Sequence, residues 1–200
     1  MSIQRPHVWI DKQSDQTLLL LHGTGADEND LIQLGELISP NSNLLSPRGT
    51  VSENGMNRFF ERTPQGEFVQ SSVLDAVTEL TEFIEAAAEQ YGFDRTNLSA
   101  CGFSNGANTA LAVLMINPEV LNLVVAFGAT KPLNQPVAVD LNGKLVFIAN
   151  GDVDPYAPVA ITEGFVAELK ACGAEVELLT HPGGHQISSA HIQQINSHLT

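Results

Sequence analysis

Two hundred residues with 43% hydrophobic content can bury a sizeable core, and nothing in the length demands more than a single domain over residues 1–200. A formal net charge of −14, from 9 basic against 23 acidic residues, argues against a nucleic-acid backbone or an anionic membrane surface as partner. Cys101 and Cys172 fall in different predicted elements and give neither a disulfide framework nor a zinc-spacing pattern, which points to a reducing, cytoplasmic setting.

Met1 to Ile10 has no long apolar run, so no signal peptide is expected, and Val8 to Ile10 reads as an edge strand. Thr17 to Leu21 is nearly uninterrupted apolar chain, the pattern of a strand buried on both faces. It runs into His22-Gly23-Thr24-Gly25-Ala26-Asp27-Glu28-Asn29-Asp30. A phosphate loop is disfavoured here, because no Lys-Ser/Thr pair follows and three carboxylates crowd the turn. The better reading is a loop at the carboxyl edge of a sheet, with backbone N–H groups to offer. Leu31, Leu34, Leu37 and Ile38 then mark one face of a short helix. Asn43 to Ser46 is a short strand closed by Pro47.

From Arg48 to Gln70 the chain has no clear period and carries Arg48, Arg58 and Arg62 together with Phe59-Phe60. Either this is a surface loop with its arginines paired to Glu53, Glu61 and Glu67, or it walls a substrate pocket. Ser72 to Tyr91 is the clearest helix. Val73, Ala76, Val77, Leu80, Ile84, Ala87, Ala88 and Tyr91 share one stripe, Ser72 with Asp75 resembles a capping box, and Gly92 is a natural stop.

Asn97 to Cys101 is apolar enough for a buried strand, and Ala107 to Ile116 is a good helix former. Between them lies Gly102-Phe103-Ser104-Asn105-Gly106, a G-x-S-x-G run in strand–turn–helix context. A serine pinched in so tight a turn has its hydroxyl pushed out at the sheet's carboxyl end, beside the N–H of Asn105. The apolar block Ala110 to Ile116 is too short to span a bilayer. Further on come a strand (121–127), a Pro/Asn-rich connection (131–143), a strand (144–150), a helix (158–172), a strand (175–180) and a closing helix (186–198). Strands alternating with helices predict a mostly parallel central sheet covered on both faces.

A serine hydroxyl needs an adjacent base. Of the six histidines, His7, His191 and His198 suit surface or packing roles, His22 suits a structural hydrogen bonder in the glycine turn, and His181 is fixed before Pro182. His185 follows two glycines on a loop after the last strand, at the same edge as Ser104, and is the expected general base. A carboxylate to orient it must also lie at that edge. Asp152 and Asp154 both follow strand 144–150, and spacing alone does not separate them. Thr24 can offer a second backbone N–H opposite that of Asn105 as an oxyanion donor. Serine, then aspartate, then histidine is the chain order of the α/β-hydrolase arrangement.

With these residues in place, the chain resembles the small phospholipase/carboxylesterase branch of the α/β-hydrolases, related to acyl-protein thioesterases. The resemblance is carried by Leu21-His22-Gly23-Thr24-Gly25 with Asp27 and Asp30, by Gly102 to Gly106, by Gly151-Asp152-Val153-Asp154-Pro155 with Pro158, and by Gly184-His185. Ser46-Pro47-Arg48-Gly49 with Gly55 to Phe60 is similar to a bacterial subgroup linked to hydroquinone stress. The resemblance places the aspartate at Asp154, implies oxyanion donors at Thr24 and Asn105, and implies no metal or other cofactor. It further implies a small-molecule ester or thioester substrate and a tendency to form homodimers. This chain departs from many relatives in having Asn105 after the serine and Asn150 before Gly151. No insertion is long enough for a large lid, so an open, shallow site is expected. A serine hydrolase is the expected function, set against an idle hydrolase fold serving as ligand receptor or scaffold, and against an acyltransferase with the same three residues.

Overall fold

The computed structural model describes residues 4–135 and 138–199, with no side chain described from 197 onward. The expectations for residues 1–3, for residues 136–137 within the Pro/Asn-rich connection, and for the side chain of His198 lie outside that range.

Among the described residues, seven strands form one sheet. In chain order they are β1 (His7–Ile10), β2 (Thr17–Leu21), β3 (Asn43–Pro47), β6 (Leu98–Phe103), β7 (Leu123–Phe127), β8 (Leu145–Gly151) and β9 (Glu175–His181). Their spatial order is β1-β3-β2-β6-β7-β8-β9. Only β1 runs antiparallel, against β3 at one edge; every other pairing is parallel. Helices cover the sheet: α1 (Ile32–Ile38), α2 (Gln70–Tyr91), α3 (Asn105–Ile116), α4 (Val159–Ala171) and α5 (Ser189–Leu199).

The two-residue period of the strands divides the core into two layers. In β2, Leu19 and Leu21 pack under α2 and α3, whereas Leu18 and Leu20 face the layer covered by α1 and α5. All four leucines are essentially inaccessible; burying each one stabilises the fold by roughly 1.5–3 kcal/mol before chain entropy is counted. The predicted α/β architecture, with helices on both faces and no large lid insertion, is the one observed. Parallel registers such as Leu21 with Gly102, Phe103 with Phe127 and Asn150 with Thr180 bring the loops after β2, β6, β8 and β9 to one edge.

Three local expectations are corrected. Residues 48–70 are not wholly irregular: β4 (Val51–Glu53) and β5 (Met56–Arg58) form an antiparallel hairpin. Asn54 and Gly55 at its tip have φ of 52° and 79°, the two positive values of a type I′ turn. Leu37, placed on the buried face of α1, is 60% exposed, because α1 is short and buries only Leu34, Gly35 and Ile38. The capping box of Ser72 and Asp75 does not form. α2 starts earlier, at Gln70, and Ser72 Oγ instead accepts a hydrogen bond from the Glu61 N–H at 3.0 Å. Its C-terminus behaves as expected, with Gly92 left-handed at φ 75°.

Candidate active site

Ser104 stands between β6 and α3 with φ 52° and ψ −112°. An L residue holds such a conformation only when its surroundings impose it. Here packing imposes it. A Cβ on Gly106 would lie 2.0 Å from the Leu21 carbonyl oxygen, so only glycine lets the first turn of α3 press against the end of β2. The Ser104 N–H donates to the Phe127 carbonyl at 2.8 Å. Asn108 braces the turn from the helix side: its Nδ2 donates to Ser104 O at 2.8 Å, and its Oδ1 accepts from the Thr130 N–H at 3.0 Å.

The loop after β9 carries His185 over this turn. Its Nε2 is 2.9 Å from Ser104 Oγ, and its Nδ1 is 2.7 Å from Asp154 Oδ2. A carboxylate only accepts, so Nδ1 bears the hydrogen and Nε2 turns a lone pair toward the serine hydroxyl. The Asp154 side chain is fully buried, and its other oxygen accepts from the Tyr156 N–H at 2.8 Å. The rings of Phe103 and Tyr156 flank the imidazole, with centroids 4.9 and 5.0 Å away. Of the two aspartates that spacing left open, Asp154 meets the imidazole while Asp152 faces solvent.

Two backbone amides have no acceptor. The Thr24 and Asn105 N–H groups donate to no other group of the chain among the described residues. Asn105 opens α3, where first-turn amides are left without intrahelical acceptors and the helix end favours negative charge. His185 Nε2 can therefore take the proton of the Ser104 hydroxyl, and the two backbone N–H groups are left without acceptors.

His22 and His181 are spent on structure. His22 Nδ1 donates to Gly23 O at 2.7 Å and Nε2 accepts from the Gly49 N–H at 2.9 Å, and burial holds its pKa below the ordinary value. His181 Nδ1 accepts from the Gly183 N–H at 3.0 Å while Nε2 donates to Gln186 O at 3.2 Å, bracing the loop that bears His185. Cys101 is no rival nucleophile, because full burial pushes its thiol pKa up.

The arginine-bearing segment meets the site. Thr24, Arg58, Arg62, Ser104, Tyr156 and His185 border a shallow cavity of about 250 Å³ together with Phe103. Of the glutamates expected to pair with these arginines, only Glu53 does so, with Arg58 at 3.1 Å; Arg48 turns instead to Glu28, which it grips at 2.5 and 2.7 Å. Sequence reasoning missed what ties the segment down. The Asn105 side chain, which a backbone-donor role leaves poorly constrained, accepts from the Phe59 N–H at 2.7 Å and donates to Phe60 O at 3.5 Å. It also missed Tyr156. A signal for that residue existed, since an Asp two positions ahead of an amide commonly accepts from it in an Asx-turn.

Fold and site together define an α/β-hydrolase, with serine, histidine and aspartate converging at the carboxyl edge of a mostly parallel sheet. Within that class the chain belongs to the phospholipase/carboxylesterase family, whose model matches residues 8–200. It is 38% identical over 188 residues to the putative hydrolase MhqD of Bacillus subtilis (strain 168), covering 94% of each chain. The crystal structure of a Bacillus cereus carboxylesterase superposes with a TM-score of 0.93 at 36% identity, over 98% of this chain and 93% of that one. A protein of unknown function from Agrobacterium tumefaciens, Atu2452, superposes with a TM-score of 0.89 at 35% identity, over 98% and 95%. Among the described residues no helix is long and apolar enough to cross a membrane, and no three His, Cys, Asp or Glu side chains group to hold a metal ion.

Proposed function

We propose that this chain is a serine esterase that cleaves small carboxylic esters or thioesters through an acyl-enzyme. The observation that carries the reading is the hydrogen-bonded chain from Ser104 through His185 to Asp154, with the serine held in a strained turn beside two unspent amides. Ser104 Oγ attacks the carbonyl carbon as its proton passes to His185 Nε2. The carbonyl electron pair moves onto oxygen, where the Thr24 and Asn105 N–H groups receive it, each contributing about 2.7–4 kcal/mol to the transition state. Collapse breaks the bond to the alcohol or thiol, which leaves with the proton from Nε2. Water then gives a proton to the same nitrogen while attacking the acyl carbon, and a second collapse frees the acid and restores Ser104. Asp154 stays ionised and holds the imidazolium through Nδ1–H. Every proton and electron pair in this sequence is carried by the chain and by water.

The segment from Ser46 to Phe60 supports a place in the bacterial hydroquinone-stress subgroup, and the cytoplasm is the proposed site of action. Ser104→Ala should lower the turnover of p-nitrophenyl butyrate by roughly 10⁴-fold or more and leave the circular dichroism spectrum intact. A fluorophosphonate probe should label the native chain and not the variant. Unchanged turnover in the variant, or a native chain inert to the probe as a mere scaffold would be, defeats the reading.

A further inference from the structure

Arginines are scarce in this chain, five in 200 residues of net charge −14, and the structure treats them in two ways. Arg5, Arg48 and Arg95 each pair with a glutamate away from Ser104: Glu79 at 3.2 Å, Glu28 at 2.5 Å and Glu85 at 2.7 Å. Arg58 and Arg62 border the cavity at Ser104 instead. Glu53 pairs with Arg58, and among the described residues no carboxylate lies within ion-pair distance of Arg62.

What holds these two side chains leaves donors unspent, as it also does at Arg5, whose buried Nη1 lacks a partner away from Ser104. Arg58 is 4% exposed, and its Nε donates to Phe60 O at 3.1 Å, its Nη1 to Glu53; its Nη2 is buried without a partner. Arg62 lies over the faces of Phe68 and Tyr156, 5.2 and 5.9 Å from their centroids, and its Nε is likewise buried without a partner. Aromatic faces steady a guanidinium and leave its N–H groups available. Burial disfavours the charge of both, and for Arg62 the charge of Arg58 adds to the penalty. Two desolvated cations, one of them ion-paired, cost stability unless something anionic completes them. They are also aligned with the chemistry, because Asn105, the residue after Ser104, fixes Phe59 and Phe60 between them. Planar guanidinium forks with free N–H groups suit the two oxygens of a carboxylate.

We propose that Arg58 and Arg62 select esters bearing a carboxylate, held in the cavity beside Ser104 while the ester carbonyl sits at the serine. The inference rests on the esterase reading above and adds the substrate class to it. A cavity of about 250 Å³ limits these esters to small ones. The carboxylate can belong to either side of the ester, and two substrate pairs separate those sources. For the alcohol side, 4-acetoxybenzoate is compared with 4-acetoxybenzamide; for the acyl side, monophenyl glutarate is compared with phenyl valerate.

The native chain should show the higher kcat/KM for the anionic member of at least one pair. Arg62→Gln should cut the anionic-to-neutral ratio in that pair by about tenfold or more, the scale of one charge-assisted contact, and Arg62→Lys should restore part of it. Arg62 is the residue to change, because Arg58 is buried and paired and its loss could unfold the hairpin. A binding readout runs independently of turnover: glutarate should bind the Ser104→Ala protein in calorimetry and lose at least tenfold in affinity when Arg62→Gln is added. A native preference for the neutral member of both pairs, a ratio unmoved by Arg62→Gln, or glutarate affinity indifferent to that change overturns the inference. An esterase reading that fails by itself looks different, with glutarate bound through Arg62 and no labelling of Ser104 by fluorophosphonate.

Discussion

The two ends of the sheet carry clefts of similar size and opposite character. At the amino end, Gln16, Thr17, Ser39, Ser42, Asn97 and Ser99 help line a cavity of about 320 Å³, larger than the 250 Å³ beside Ser104. Its polar groups serve the fold. Ser39 and Ser42 share a hydrogen bond at 2.7 Å, and neighbouring Asn43 accepts from the Lys12 and Ser14 amides while donating to Ser14 O and Thr17 Oγ1. At the carboxyl end, the serine is strained, two amides are unspent, and two guanidiniums keep buried N–H groups without acceptors. Volume does not distinguish the two ends; unspent hydrogen-bonding capacity does. A fold that leaves polar groups unsatisfied at one place bears a cost that a ligand there can offset.

If that contrast is right, damage at the two ends should separate into lost activity and lost stability. The largest effect is expected at Asp154. Asn at this position can present its amide N–H to Nδ1, move the imidazole hydrogen to Nε2 and remove the lone pair facing Ser104. Asp154→Asn should therefore lower kcat on a simple aryl ester by about 10⁴-fold, measured beside a melting curve. A loss below about tenfold would mean that the carboxylate does not govern the imidazole. The amino end should behave in the opposite way. Asn43→Ala leaves half-buried backbone groups without partners and should cost about 1–3 kcal/mol of stability, seen as a lower denaturant midpoint with kcat within about twofold of native. A collapse in kcat at native-like stability would erase the distinction between the two ends.

The smallest effect concerns His22, which lies between β2 and the arginine segment. Burial lowers its pKa from the ordinary 6.5, so below that value the unfolded chain takes up a proton that the folded chain refuses. The stability owed to neutral His22 is thus present above about pH 6.5 and is lost as pH falls through that value toward the lower folded one. His22→Gln should flatten the fall in Tm between about pH 7.5 and about pH 5.5. An equal slope in native and variant protein would assign that pH dependence to other groups.

Elements with strong local signals were legible in the sequence. β2, α2 and the strand–turn–helix around Ser104 all carry patterns that packing then reinforces, and Gly92 stops its helix where expected. The hairpin at residues 51–58 was legible in principle through Asn54-Gly55, but its strands of three residues are too short to show a period. Ser72 misled because a capping pattern states only that a helix could begin there; the neighbouring Glu61 amide claimed its hydroxyl. Leu37 misled because a helix of seven residues buries only a narrow stripe.

By itself the sequence determined the alternation of strands and helices, the strained serine turn, and the three loops that had to share one edge. These follow from residue periodicity and from the direction of a parallel sheet, both local or nearly so. Only the tertiary structure decided which aspartate meets His185, what the Asn105 side chain holds, and that Arg58 and Arg62 border the cavity at Ser104. Those facts depend on distances between segments far apart in the chain, fixed by the packing of α3 on β2 and by the order of strands in the sheet.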